Sequence, residues 1–160
     1  MGEERRHYGK AGGAGMEIYT DGGCSGNPGP GGWAYVIIKD EVIFAEKWGA
    51  EKFTTNNRME LQAVIAALEF LAQEEKKEEK IAVYTDSQYV QKGITIWMAD
   101  WKKRGWKTSD KKPVKNQELW QRLDALAGLF LLSWVWVKGH AGNKYNERCD
   151  ELTRIAIVSL

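Results

Sequence analysis

One short pattern occurs twice in the chain and restricts its fold more than any other feature. Ile18–Gly22 reads IYTDG and Val83–Ser87 reads VYTDS, so each copy is an apolar, β-rich run that ends on an aspartate. Between the copies, from about Asn57 to Gln73, apolar residues recur at helical spacing. A strand, a helix and a second strand of this kind predict two parallel neighbours joined by a right-handed crossover.

The remaining segments extend this unit to an α/β domain with a mixed sheet. Glu17–Thr20 predicts the first strand, and the glycine- and proline-dense run GGCSGNPGPGG after it predicts an irregular loop. Trp33–Lys39 and Val42–Trp48 predict an antiparallel hairpin. Further strands are predicted over Ile81–Thr85 and Ser133–Val137, and further helices over Ser87–Lys92, Thr95–Arg104, Gln117–Leu126 and Asn146–Ile157.

Composition excludes several classes of protein. Two cysteines, Cys24 and Cys149, cannot build a disulfide framework and lack the paired spacing of a zinc site, which favours a reducing compartment. No apolar run reaches the roughly 18 residues of a spanning helix, and residues 1–15 have no apolar core for a signal peptide. We therefore expect a disordered glycine-rich leader over residues 1–15, one domain over residues 16–160, no membrane association and a cytoplasmic location.

Four carboxylates are candidates for one metal site. Asp21 and Asp86 end parallel strands, so they should face one crevice at the carboxyl edge of the sheet, although each alone could simply begin a turn. Glu60 lies at the edge of its helix's apolar stripe, in the first turn, where an ordinary acid would also gain from the helix dipole. Asp150 likewise lies at the edge of the apolar face of the last predicted helix. Their mutual repulsion predicts a hard divalent cation, Mg²⁺ or Mn²⁺.

Five motifs make the chain resemble a known family. TDGGCSGNPGPGG, TTNNRMEL, TDSQYV, WKKRGWKT and VKGHAGNKYNERCDEL occur in the order seen in type 1 ribonuclease H of the bacterial kind, over residues 17–157. The resemblance implies a ribonuclease H-like fold with strand order 3-2-1-4-5. It also implies a monomeric endonuclease that hydrolyses the RNA strand of RNA/DNA hybrids by a two-metal mechanism, leaves 3′-hydroxyl and 5′-phosphate ends, and removes RNA primers and R-loops.

The resemblance also implies roles for individual catalytic residues. Asp21 would bridge both Mg²⁺ ions, Glu60 and Asp86 would complete the side of the attacking water, and Asp150 would hold the other ion. His140 matches a family histidine that assists product departure or proton transfer. From the residues alone, a histidine in a glycine-flanked loop is more often a solvated loop residue.

Substrate contacts are implied in the same way. The candidate RNA contacts lie in glycine-rich backbone or carry side-chain amides, and both kinds of group are suited to reading a 2′-hydroxyl. They are Gly23, Cys24, Ser25, Gly26, Asn27, Asn56, Asn57 and Gln88. An asparagine at a helix start could also be a cap. Thr55 and Asn116 match a pocket for one DNA phosphate, beside which Phe53 stands where many members carry a basic residue, so weaker phosphate binding is expected.

Residues Trp97–Lys115 resemble the family's basic protrusion, which grips the DNA strand. This segment has seven Lys or Arg against two Asp, interleaved with tryptophans, a composition suited to a nucleic-acid backbone. Because Trp97 and Trp101 are one helical turn apart, a packed stripe is the competing interpretation for them. The DNA-strand contacts implied here are Trp97, Trp101, Lys102, Lys103, Arg104 and Ser109.

Two other functions compete with catalysis on hybrids. A hybrid-binding module without turnover would keep every recognition feature, but the presence of all four acids disfavours it. A DNA-cleaving nuclease of the wider superfamily would share the acids and lack the asparagine pair and glycine-rich RNA-reading segment, both of which are present.

Overall fold

A computed structural model describes residues 15–74, 79–138 and 143–160 and is built around a five-stranded sheet in the order β3-β2-β1-β4-β5. The strands are β1 (Met16–Cys24), β2 (Gly29–Lys39), β3 (Val42–Thr54), β4 (Lys80–Thr85) and β5 (Leu131–Trp136). The α-helices are α1 (Asn56–Gln73), α2 (Gln88–Lys92), α3 (Met98–Lys103), α4 (Gln117–Ala127) and α5 (Lys144–Val158), and a π-helical turn, Gly93–Trp97, joins α2 to α3.

The predicted α/β class and strand order are confirmed. Strand β1 pairs antiparallel with β2 and parallel with β4, which in turn pairs parallel with β5. The hairpin between β2 and β3 turns at Asp40 and Glu41, whose φ angles of 53° and 65° are typical of a two-residue hairpin turn. The crossover through α1 therefore sets two parallel strands side by side, as the repeated aspartate pattern predicts.

The glycine-dense segment is more regular than its composition indicates. We predicted a loop over the whole run, but β1 continues to Cys24 and β2 resumes at Gly29. The absence of a side chain is required on these strands, because a Cβ on Gly31 would lie 2.5 Å from Cγ2 of Thr54 and 2.8 Å from Sγ of Cys24. Here glycine serves close packing within a sheet, and the expected loop is reduced to residues 25–28.

Several further boundaries differ from the sequence prediction, and β3 continues to Thr54 where the prediction ended at Trp48. We predicted a break between helices ending at Lys92 and starting at Thr95, but the chain stays helical through the π-helical turn. The ring of Trp120 occupies the space beside Gly93, where a Cβ would lie only 1.9 Å from the indole. Strand β5 begins two residues before the predicted start at Ser133, and α5 extends beyond both predicted ends.

The sheet separates two apolar layers and thereby fixes the helices around it. Ile18 on β1 faces a large cluster shared with α1 and α4, whereas the neighbouring Tyr19 faces a smaller cluster shared with α5. Within the described ranges, no helix combines the length and apolar character needed to cross a membrane. The predicted leader lies outside the described residues except for Gly15, whose N–H donates to the Lys80 carbonyl at 2.8 Å.

Candidate active site at the edge of the sheet

Two of the predicted acids meet where the pairing of β1 with β4 ends. The last paired residues of these strands are Tyr19 and Tyr84, and Asp86 follows directly after β4. Asp21 lies inside β1, which continues to Cys24, so its predicted position at a strand end is wrong while that of Asp86 is right. Both aspartates nevertheless reach the same edge, because β1 runs past the end of its parallel neighbour.

Helix α1 brings Glu60 against this edge. The helix starts at Asn56 after an N-cap at Thr55, and no acidic residue lies in its first turn, so the predicted first-turn position of Glu60 is wrong. Gly22 permits the approach, because a Cβ there would lie 2.4 Å from the Met59 carbonyl carbon and 2.6 Å from the Glu60 nitrogen. The close contact of β1 with α1 therefore depends on a residue without a side chain.

Oxygen atoms of Asp21, Glu60 and Asp86 lie within 4.8 Å of one another, and these three residues are called the acidic cluster. Burial raises the pKa of Asp21 to about 7, and the charges of Asp86 and Asp150 add to this effect. Burial likewise raises the pKa of Glu60 well above its ordinary value, with further contributions from Asp21 and Asp86. Three crowded carboxylates, of which Asp21 and Glu60 have raised pKa values, fit a hard divalent cation, which would relieve both the repulsion and the burial penalty.

The fourth acid approaches from α5 without joining the cluster. The Cys149 thiol donates to the Tyr19 carbonyl at 3.2 Å, and Gly32 on β2 meets the Ala156 side chain, so α5 packs closely on the sheet. Asp150 is near enough to raise the pKa of Asp21. One of its oxygens, however, accepts from Arg154 Nη1 at 2.7 Å. The structure thus gathers three acids into one group that could hold a metal ion and places the fourth beside it.

Residues near the cluster also support its carboxylates. The Ser87 side chain and the Gly22 N–H interact with Glu60, and both lower its pKa against the larger effect of burial. The Thr153 side chain lowers the pKa of Asp21 in the same way. His140, the remaining catalytic candidate, lies outside the described residues, so its position beside the cluster stays a prediction.

The candidate RNA-reading segment is tied to the start of α1. The Asn56 side-chain oxygen accepts from the Cys24 N–H at 2.7 Å, and the Asn56 N–H donates to the Asn27 side-chain oxygen at 3.1 Å. The N-cap is Thr55, whose Oγ1 accepts from the Arg58 N–H at 3.3 Å, so capping does not occupy the two asparagines. The segment's backbone is fixed next to the acidic cluster, with Ser25, Gly26, Asn57 and Gln88 exposed.

The two residues matched to a DNA phosphate pocket lie on either side of Arg58. Its Nη1 donates to the Asn116 side-chain oxygen at 3.1 Å, and its Nη2 forms a salt bridge with Glu118 at 2.7 Å. Phe53 is 75% exposed and offers no charge. Arg58 therefore places a guanidinium group, paired with Glu118, between Thr55 and Asn116, near the position where Phe53 stands in place of a basic residue.

In the basic protrusion, the aromatic rings pack inward and the charges lie outside. Trp101 has ring centroids of Trp97 and Trp120 at 5.7 and 5.4 Å, which supports the packed-stripe interpretation of the tryptophan pair. Lys102 forms a salt bridge with Asp124 at 2.9 Å. Lys103, Arg104 and Ser109 are exposed, and the two cations form no salt bridge with any described residue.

Sequence reasoning missed several residues that shape the site. Gly22 stood in a motif read as a loop, although a glycine directly after a strand aspartate could have indicated close backbone approach. Arg58 stood inside TTNNRMEL one turn after the cap. Its positive charge could have been considered as part of the phosphate pocket. Nothing in the sequence distinguished Thr153, which is buried, or Arg154, which is exposed, from the other polar residues of the last helix.

Comparison with known proteins agrees with the fold. The RNase H family model matches residues 13–158. A ribonuclease H of Aromatoleum aromaticum is 58% identical over 139 residues, which cover 87% of this chain and 88% of that protein. The crystal structure of LC9-RNase H1, a type 1 RNase H with the type 2 active-site motif, superposes with a TM-score of 0.80 and 32% identity over 90% of this chain and 72% of that chain. LC11-RNase H1 in complex with an RNA/DNA hybrid gives a TM-score of 0.71 and 27% identity, covering 90% of this chain and 97% of that one.

Proposed function

This chain belongs to the ribonuclease H family, and on that premise we propose that it is an endonuclease that hydrolyses the RNA strand of RNA/DNA hybrids. The observation that carries this function is the acidic cluster, whose three carboxylates converge within 4.8 Å beside the RNA-reading segment. The similar LC11-RNase H1 has been solved with an RNA/DNA hybrid. Attack by water on the scissile phosphorus with departure of the 3′ oxygen would give products with 3′-hydroxyl and 5′-phosphate ends. Removal of RNA primers and R-loops is the cellular role proposed.

The family is metal-dependent, and we propose Mg²⁺ as the ion, with Mn²⁺ as an alternative. Carboxylate oxygens alone make up the acidic cluster, and such donors suit these hard cations better than zinc. When bound, two ions supply a water of lowered pKa and neutralise charge at the scissile phosphate. Asp21, Glu60 and Asp86 would hold them together with Asp150.

The chain's own residues prepare this chemistry. Asp21, with a pKa of about 7, must lose its proton for the cluster to bind cations fully, so hydrolysis should favour neutral to alkaline pH. The Ser87 side chain and the Gly22 N–H hold the Glu60 carboxylate at the sheet edge. Arg154 is proposed to hold the Asp150 carboxylate beside the cluster. His140 is proposed to assist product departure or proton transfer.

Recognition of the hybrid is divided between two surfaces. The fixed segment Gly23–Asn27, together with Asn56, Asn57 and Gln88, is proposed to read 2′-hydroxyl groups of the RNA strand. The DNA strand is proposed to contact Thr55 and Asn116 with Arg58 between them, and the basic protrusion beyond. A monomer contains both surfaces, so monomeric action is proposed.

Two organisational proposals accompany this function. Residues 16–160 are proposed as the catalytic domain, and residues 1–15 as a leader not needed for hydrolysis. Cys24 and Cys149 are free thiols, which supports a reducing, cytoplasmic compartment.

The decisive substrate experiment compares a long RNA/DNA hybrid, duplex DNA and single-stranded RNA, each labelled, with Mg²⁺ and with EDTA. We expect rapid cutting of the hybrid only, and none with EDTA. Binding of the hybrid without cleavage would favour a binding module, and cleavage of duplex DNA alone would favour a DNA-cleaving nuclease.

A further inference from the structure

A shallow groove lies beside the acidic cluster, between α2 and the end of β5. Its volume is about 370 Å³, and of its lining residues only Asp86 and Gln88 have a role in the functions described above. The groove begins at Asp86, so it is continuous with the acidic cluster. Its other lining residues include Thr85, Gln88, Gln91, Trp136 and Lys138.

One wall of the groove is an aromatic and basic ladder. The rings of Trp134 and Trp136 are stacked with centroids 5.6 Å apart and planes 10° apart, on the same face of β5. One side of the Trp136 ring is thus covered by Trp134, while the residue itself borders the groove. Lys138 follows two residues later, after the strand has ended, and its side chain is exposed.

The opposite wall presents the amides of Gln88 and Gln91 from α2. Among the described residues that line the groove, Asp86 is the only acid and Lys138 the only base. An indole, two amides and one ammonium group are suited to contact the base, the sugar and the phosphate of a ribonucleotide. Aromatic rings stack on bases or sugars, amides hydrogen-bond to a 2′-hydroxyl, and lysine neutralises a phosphate.

We propose that this groove binds the RNA strand of the hybrid at the nucleotide next to the one held at the acidic cluster. The inference rests on the proposed function, since it requires an RNA phosphodiester at Asp86. The assignment follows because the groove is continuous with the acidic cluster. An RNA strand that crosses the cluster and turns toward β5 therefore enters the groove directly. Lys138 neutralises its phosphate, Gln91 hydrogen-bonds to its sugar, and Trp136 covers its base or sugar face.

The test measures binding of a fluorescent hybrid by anisotropy in EDTA, which prevents cleavage. Lys138→Ala and Gln91→Ala remove polar groups from the groove and leave the packed indole in place. We expect Lys138→Ala to weaken binding about threefold to tenfold and to lower the slope of log affinity against log salt by about one. Lys138→Arg should retain most of the affinity, and Lys92→Ala, which removes an exposed lysine of α2 outside the groove, should bind as the wild type does.

Two shortened hybrids locate the contact. The RNA strand of one hybrid ends on one side of the mapped cleavage position, and the RNA strand of the other ends on the opposite side. One of the two hybrids therefore leaves the groove without a nucleotide. We expect the ratio of wild-type to Lys138→Ala affinity to fall to about one with that hybrid and to persist with the other. An unchanged ratio with both shortened hybrids, or equal binding of the full hybrid by Lys138→Ala and wild type, would overturn the groove assignment. Failure of the wild type to cleave the hybrid in Mg²⁺ would instead overturn the proposed function.

Discussion

In the acidic cluster the fold desolvates two of the three carboxylates, whereas in the basic protrusion the charged groups are exposed and the aromatic rings pack inward. Asp21 and Glu60 are desolvated enough to raise their pKa values. In the protrusion, Trp101 packs between two other tryptophans, and Lys103 is exposed. Burial makes each acid costly to ionise and sensitive to small displacements, while exposed lysines act through a screened field. Changes at the cluster should therefore have large effects, and changes in the protrusion small, additive ones.

The largest expected effect is on turnover in Asp86→Asn. The substitution keeps the side-chain volume and removes one charged ligand, so the fold should be retained while transition-state stabilisation of several kcal/mol is lost. We expect the single-turnover rate on a hybrid in Mg²⁺ to fall about a thousandfold or more. Asp110→Asn, at an exposed position of the protrusion, is the matched control and should cleave normally. Full activity of Asp86→Asn would exclude the acidic cluster as the metal site.

The second prediction concerns the stability of the metal-free protein against pH. The pKa of Asp21 is raised from 3.8 to about 7, so its favourable contribution is complete below pH 4 and is lost as the pH rises through 7. Asp21→Asn cannot ionise, and at pH 8 in EDTA it should raise the free energy of unfolding by roughly 2 to 4 kcal/mol. Urea unfolding between pH 4 and pH 8 measures this difference. Equal stability of the variant and the wild type at pH 8 would show that Asp21 is not strained by burial.

A third prediction separates position from charge at the cluster. Gly22→Ala places a methyl group 2.4 Å from the Met59 carbonyl carbon, which should push α1 away from β1. We expect a loss of about 1 to 3 kcal/mol in the free energy of unfolding and a slower single-turnover rate. Gly23→Ala is the control for the stability measurement, because the nearest heavy atom to its added methyl group would be 3.9 Å away. If both variants behave alike, the close approach at Gly22 does not position Glu60.

These residues also show what sequence could and could not predict. The repeat ending in Asp21 and Asp86 predicted the parallel strand pair, because hydrophobic pattern and crossover handedness act locally and are readable. The glycine run was misread as a loop, because composition does not reveal whether a glycine serves a turn or close packing. The contact between Gly22 and Met59 depends on the packing of α1 against the sheet, which composition does not reveal.

Pairings between distant residues were equally inaccessible. The Arg58 contacts with Asn116 and Glu118 join elements about 60 positions apart and depend on how α4 docks beside α1. The position of Asp150 outside the three-acid group follows from the docking of α5, which helical periodicity alone does not give. Periodicity identified which face of a helix is apolar, whereas side-chain geometry required the fold.

The smallest expected effects are in the protrusion. Neutralising Lys102, Lys103 and Arg104 together should lower the salt slope of hybrid binding by about two to three and leave the saturated cleavage rate near the wild-type value. Lys103→Ala should weaken binding more than Lys102→Ala, because the Lys102 charge is already paired with Asp124. An unchanged salt slope in the triple variant would mean that the protrusion does not touch the nucleic-acid backbone.

The acidic cluster is proposed to direct water onto the RNA strand, and the chemical ends of the RNA products report on that step. A hybrid labelled separately on each strand is incubated with the protein and Mg²⁺, and the RNA fragments are analysed for their termini. We expect cutting of the RNA strand alone, with 3′-hydroxyl and 5′-phosphate ends, and no cutting by Asp86→Asn. Fragments ending in 2′,3′-cyclic phosphate would contradict the proposal, because they would show attack by the RNA's own 2′-hydroxyl group.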